Sequence, residues 1–329
     1  MKSILFLFSM TILSAEQQGW SPREGELLKY RVNLRFGEEP VVPPPLPNQK
    51  AELRFSGEDD TMPKGWKFGR VSAVAVNAKG EVFVFHRGRH ADPVIVFDAQ
   101  GRFLSSWGKG MFTTPHGLRI DPAGNVWTTD VGSHQVMKFT QQGQLLLTLG
   151  KKGQIGSTRE TFNKPTDIAF ARDGGFYVSD GYGNTRVVKF SRDGNYQLEW
   201  GKPGRGPGEF NTPHSLQLDS KGTVYVSDRE NNRIQMFTPQ GKFLRMWTHL
   251  GSTQNLFITP NDEMWMITHR ESVEAGALNT LGGRIFRVDI GSGKILSSIE
   301  SPGHWIHVSP DRLIFIGSLT GNVLRWFPY

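Results

Sequence analysis

Three histidines hold the same position in an internal repeat, in alternate copies of it. The runs NVWTTD, GFYVSD and TVYVSD end on Asp130, Asp180 and Asp228, and fourteen residues before each stand His116, Thr166 and His214. The same interval counted from the matching points His86, Thr268 and Ser318 reaches Ser72, Gln254 and His304. If the repeats are blades of a closed ring, every second blade directs an imidazole at the axis. Equivalent positions on alternate blades of six lie about 120° apart, so the three rings converge at one height. Three imidazoles and an open fourth position suit a catalytic zinc ion. Imidazole also binds copper, nickel and iron, so the pattern names a metal site before it names the metal. The chain has no cysteine, which excludes thiolate ligands, thiol nucleophiles and disulfides.

His307, three residues past His304, is the competing ligand in the last repeat, where Gly303 stands in place of the proline that precedes His116 and His214. The repeat register selects His304. His86, His90, His134, His249 and His269 fall elsewhere in the cycle and read as loop residues. Just past the aspartate-equivalent positions stand Arg87 (FHRGRH), Tyr182 (DGYGNTR) and Arg229 (DRENNR). An arginine fork matches a carboxylate. A tyrosine beside a metal and a cation gives up its proton more readily and can serve as a base. The aspartates themselves precede turns, where carboxylates bond backbone N–H groups, and read as structural.

The elements that must position these residues recur from about residue 71 with a period of roughly 45–50 residues, in the range of propeller blades. Each cycle has an entry segment (TPHGLRID, KPTDIAFA, TPHSLQLD), a Gly-containing turn and a buried run ending on the aspartate. A polar loop, a second strand pair and a closing WG or LG follow. Alternating apolar positions between Gly turns are hairpin signals, four strands to a cycle. The predicted fold is all-β, a six-bladed propeller with blades at about 71–108, 116–150, 165–201, 213–247, 254–299 and 304–329. The sixth blade stops one strand early, and the segment Ala51–Ser56 is expected to supply its outer strand and close the ring.

Residues 1–15, MKSILFLFSMTILSA, read as a signal peptide cleaved near Ala15, residues 16–50 as a strap, and 51–329 as one propeller domain. The expected mature protein is secreted or periplasmic and keeps no membrane segment. A net charge of +7 can signal nucleic acid, but the cations are scattered and no such motif is present. An anionic small substrate is the better match.

Taken together, the blocks FHRG, PHG, DGYGN and DREN resemble the peptidyl-α-hydroxyglycine α-amidating lyase family, six-bladed propellers of the NHL-repeat class. The likeness covers about residues 63–240 well and the rest loosely. It implies zinc on His116, His214 and His304, a catalytic tyrosine at Tyr182, and active-site arginines at Arg87 and Arg229 that bind the substrate carboxylate. It implies cleavage of an N-acyl- or peptidyl-α-hydroxyglycine to a primary amide and glyoxylate. It also implies a calcium ion on the backbone carbonyls of Val74 and Leu118 and on an aspartate after the third histidine, where this chain has Trp305. Gly183 stands where the family has a cysteine. No copper monooxygenase domain is seen in the sequence, so a separate monooxygenase is expected to supply the hydroxyglycine. Two other readings stay open: a non-catalytic secreted binding or scaffold propeller, and another metal-dependent propeller hydrolase such as a lactonase.

Overall fold

In the computed structural model, residues 51–55, 62–268 and 283–326 are described, all within one compact unit, Val42–Tyr329. The expected leader, the strap and His269 lie outside the described residues.

The repeats fold as six four-stranded antiparallel sheets. Strand β1 (Ala51–Phe55) comes first. Blade 1 is then β2 (Val71–Val76), β3 (Val82–His86), β4 (Val94–Phe97) and β5 (Phe103–Trp107). Blade 2 is β6 (Pro115–Ile120), β7 (Val126–Asp130), β8 (Gln135–Phe139) and β9 (Leu145–Leu149). Blade 3 is β10 (Pro165–Phe170), β11 (Phe176–Asp180), β12 (Arg186–Phe190) and β13 (Tyr196–Trp200). Blade 4 is β14 (Pro213–Leu218), β15 (Val224–Asp228), β16 (Arg233–Phe237) and β17 (Phe243–Trp247). Blade 5 is β18 (Thr253–Ile258), β19 (Met264–Thr268), β20 (Arg284–Val288) and β21 (Ile295–Glu300). Blade 6 holds β22 (Trp305–Val308), β23 (Ile314–Ser318) and β24 (Asn322–Trp326). Its fourth strand is β1, antiparallel to β24 with Phe55 opposite Val323. The two distant parts of the chain therefore share one sheet, and that sheet has no missing strand at its rim.

The six inner strands touch in a closed cycle, β2 to β6, β10, β14, β18, β22 and back to β2. The burial gradient across each blade explains the composition. Second strands such as VWTTD and FYVSD are buried at every position, because a neighbouring blade covers each face. Outer strands such as LLLTL and YQLEW have only exposed and half-buried positions. The closing tryptophans join blades. Trp107 lies over the turn glycine Gly143 of blade 2, and Trp200 over Gly241 of blade 4. A Cβ on Gly143 would fall 2.6 Å from the Trp107 ring, and its φ of +86° suits glycine in any case.

The three aspartates are scaffold, as their position before turns suggested. Asp130 accepts from the backbone N–H groups of Thr113, Thr114, Gly132 and Ser133. Asp180 binds Arg186 and Asp228 binds Arg233 in buried ion pairs.

Candidate metal centre and active site

The inner strands of blades 1 to 5 share an irregularity. Their pairing with the second strand slips where Ser72, His116, Thr166, His214 and Gln254 stand. A bulge takes its residue out of the pleat and re-aims the side chain. Here it turns one residue per blade towards the axis. In blade 6, His304 lies just before β22 and its N–H donates to Gly317 O at 2.8 Å.

His116, His214 and His304 meet there. They are buried, and their ligand nitrogens lie within 4.8 Å of one another. Ring centroids are 4.9 Å apart for His116 with either partner and 5.4 Å for His214 with His304. Each Nδ1 donates to the backbone carbonyl of the register residue on the next blade. These bonds are His116 to Thr166 O at 2.8 Å, His214 to Gln254 O at 2.6 Å and His304 to Ser72 O at 2.6 Å. That bond puts the proton on Nδ1 and leaves the Nε2 lone pair facing the centre, the arrangement a metal-ligating histidine needs. Burial, reinforced by the neighbouring cations and imidazoles, holds His116 and His214 well below the usual histidine range, so both are neutral. Neutral imidazoles with fixed, converging lone pairs fit a metal ion.

The alternation in the sequence now has a second half. Blades 2, 4 and 6 carry the histidines, and blades 3, 5 and 1 carry the carbonyls that orient them. Ser72 and Thr166 add a return bond, each hydroxyl donating to the carbonyl of the proline before the next histidine, Pro115 at 2.9 Å and Pro213 at 2.9 Å. Sequence reasoning found these positions but assigned them no role. The small hydroxylated residue between histidine blades was the available signal.

Tyr182 covers the centre. Its Oη lies 2.8 Å from His214 Nε2 and 3.2 Å from His116 Nε2. Arg229 stands beside it, Nη1 at 3.4 Å from the hydroxyl and Cζ at 5.3 Å from the ring. Arg229 Nε pairs with Glu230 at 2.8 Å. Arg87 is anchored through Nε alone, to Ser72 Oγ at 3.0 Å and Pro115 O at 2.7 Å. Neither of its Nη groups takes a partner among the described residues. The loop carrying it is fixed by His86, which sequence reasoning treated as an ordinary loop residue. His86 ends β3 buried; its Nδ1 accepts from Gly88 N at 2.9 Å and Gly69 N at 3.3 Å, and its Nε2 donates to Asp92 O at 2.9 Å. His307 is no part of the centre. It packs on Phe257 with centroids 4.5 Å apart, further along the channel.

The fold and the site define an NHL-type six-bladed propeller with a three-histidine centre. A family profile described as a 6-bladed beta-propeller matches residues 158–272, and one described as an NHL repeat matches 112–139. The chain is 34% identical over 300 residues to the peptidylglycine alpha-amidating monooxygenase of Rattus norvegicus, covering 79% of this chain and 30% of the rat protein. It is 32% identical over 293 residues to a probable peptidyl-alpha-hydroxyglycine alpha-amidating lyase of Caenorhabditis elegans, covering 77% of this chain and 81% of the worm protein. Among solved structures, a streptogramin B lyase shares the fold with a TM-score of 0.57 at 15% identity, covering 85% of this chain and 97% of that one. The chain belongs to the peptidyl-α-hydroxyglycine α-amidating lyase family, a family of enzymes. It spans less than a third of the length of the rat protein.

Proposed function

We propose that this protein is a zinc-dependent lyase that splits an N-acyl- or peptidyl-α-hydroxyglycine into a primary amide and glyoxylate. The observation that carries the reading is the placing of Tyr182 Oη within hydrogen-bond reach of two of three converging imidazoles, with Arg229 beside it. A binding platform has no use for that set, which weighs against the scaffold reading.

Zinc on the Nε2 atoms of His116, His214 and His304 would supply Lewis-acid polarisation of the substrate hydroxyl. The protein's own groups do the rest. Arg87, anchored through Nε, presents its two Nη groups to the substrate carboxylate. Arg229 holds the charge that develops around the reacting carbon. Tyr182 takes the hydroxyl proton, the C–O bond becomes C=O, and the C–N bond breaks with its electron pair going to nitrogen. The proton on Tyr182 passes to that nitrogen. The step consumes no water and transfers no net electrons, so the site needs no redox group.

The substrate is a small molecule or peptide ending in α-hydroxyglycine. The protein is exported after cleavage near Ala15, which the mass of the mature chain tests. The function is tested by glyoxylate release from a simple N-acyl-α-hydroxyglycine. Release that stops on chelation and returns with zinc supports the reading, and its absence in folded, zinc-loaded protein rejects this substrate class.

A further inference from the structure

The level of the channel directly behind the histidines is filled from five blades. One residue past the histidine register the inner strands carry Ala73, Gly117, Asp167, Ser215, Asn255 and Trp305. Trp305 is buried, with its ring 6.2 Å from those of both His116 and His304. Gly117 faces it in a tight space, where a Cβ would lie 2.7 Å from Thr129 Oγ1 and from Thr166 O and 3.0 Å from Trp305 Cη2. Over the indole sits the Arg119 guanidinium, Cζ 4.5 Å from the ring centre. Arg119 comes from blade 2. It donates to Asp167 of blade 3 through Nε at 2.9 Å and Nη2 at 2.7 Å, and to Leu256 O of blade 5 at 2.9 Å. Ser215 Oγ donates to Asp167 at 2.7 Å, Asn255 Nδ2 to Ser215 at 3.0 Å, and Asn255 Oδ1 accepts from Ile306 N at 3.1 Å.

This layer does not fit the calcium ion that the family resemblance implies. Calcium takes six to eight oxygen ligands. Leu256 lies two residues past Gln254, as Leu118 lies two past His116, and its carbonyl is held by a guanidinium. The carboxylate in the layer, Asp167, is engaged through both oxygens. Among the described residues, the buried groups without a partner here are Arg119 Nη1 and Trp305 Nε1, both N–H donors. Trp305 stands where the resemblance puts the ion's carboxylate, so a cation here would meet a guanidinium and N–H donors in place of that ligand.

We propose that Arg119 is a built-in cation in place of a structural metal ion. It ties blades 2, 3 and 5 across the axis and holds Trp305 against His116 and His304. It is thus a positioning residue for the histidine centre, with no second metal required. Its effect on zinc rests on the metal-centre reading above; the claim about calcium does not.

The test has two arms. In the first, the purified chain is stripped with chelator and offered zinc and calcium, and bound metal and Tm are measured. Zinc without calcium, and a Tm that calcium leaves unchanged, are expected, since a specifically bound ion would raise Tm. One equivalent of calcium with a raised Tm overturns the proposal. In the second, Arg119→Met and the charge-neutral pair Arg119→Met with Asp167→Asn are titrated with zinc and cobalt. The double variant avoids leaving a buried carboxylate alone, so it can be read if the single variant fails to fold. Zinc affinity is expected to fall ~10–100-fold, the usual effect of losing support behind a ligand, with an altered visible spectrum of the cobalt form. A folded double variant with unchanged zinc affinity and cobalt spectrum overturns the positioning role. A chain that binds no zinc at the start counts against the metal centre, and the calcium arm still decides whether Arg119 replaces an ion.

Discussion

Replacing Tyr182 by Phe removes one oxygen from the proposed site and little else. The side chain is 37% exposed, so the ring keeps its place on Arg229 and the fold loses little. The hydroxyl makes three contacts, to His214 at 2.8 Å, His116 at 3.2 Å and Arg229 at 3.4 Å. At this exposure their loss should cost stability no more than about 1 kcal/mol. The three Nε2 lone pairs remain, oriented by backbone carbonyls that the substitution does not touch, so zinc should bind within a few-fold of the parent. In the proposed mechanism the carboxylate is held by Arg87, so KM should change little. Loss of a positioned base typically costs ~10²–10⁴ in rate, about 3–5 kcal/mol in the barrier. The assay is steady-state glyoxylate release by zinc-loaded variant and parent, with bound zinc and Tm measured on the same samples. A variant that turns over within about threefold of the parent would refute the assignment of Tyr182 as the base. A large loss accompanied by loss of zinc would refute the separation of roles, because Tyr182 would then be holding the centre together.

Arg87→Lys keeps the charge but not the Nε anchor to Ser72 and Pro115. KM should rise by about tenfold or more with a smaller change in kcat, and an unchanged KM would remove Arg87 from carboxylate binding. His214→Ala should abolish stoichiometric zinc binding while the β-sheet circular dichroism persists. It leaves Gln254 O without its donor, at a cost of about 1–3 kcal/mol in urea unfolding. Retained zinc would exclude His214 as a ligand. Burial holds His86 down at about 4 and His307 at about 3, against an ordinary 6.5. The unfolded chain takes up protons below pH 6.5 that the native state refuses until near pH 4, so stability should fall as pH drops through that window. The His86 share is about 3 kcal/mol. A metal-free protein whose urea midpoint is flat between pH 6.5 and 4 would contradict this, and His307→Leu should shallow the slope.

Much of the site was legible because a propeller converts sequence interval into angle. Once the aspartates fixed the phase of each repeat, the fourteen-residue interval chose His116, His214 and His304, and His307 was rejected on register alone. The loop residues Arg87, Tyr182 and Arg229 were legible because they sit at one point in the cycle, on one end of the ring. What could not be read was anything that crosses between blades through the backbone. The carbonyls of Thr166, Gln254 and Ser72 that orient the histidines belong to residues whose side chains carry no sign of it. His86 passed for a loop histidine because its partners, Gly69, Gly88 and Asp92, offer it main-chain atoms.

The periodicity of apolar runs and turn glycines therefore determined the ring, its six blades, the closing strand and which three histidines meet at the axis, since each is a matter of counting along one chain. Tertiary structure alone decided how the axis is filled. Arg119, Asp167, Ser215, Asn255 and Trp305 come from five blades, and although four of them share one repeat position, their residue types follow no pattern along the chain. They meet because consecutive inner strands bring residues far apart in sequence to one level, where a buried guanidinium must find a carboxylate, a carbonyl and an aromatic face.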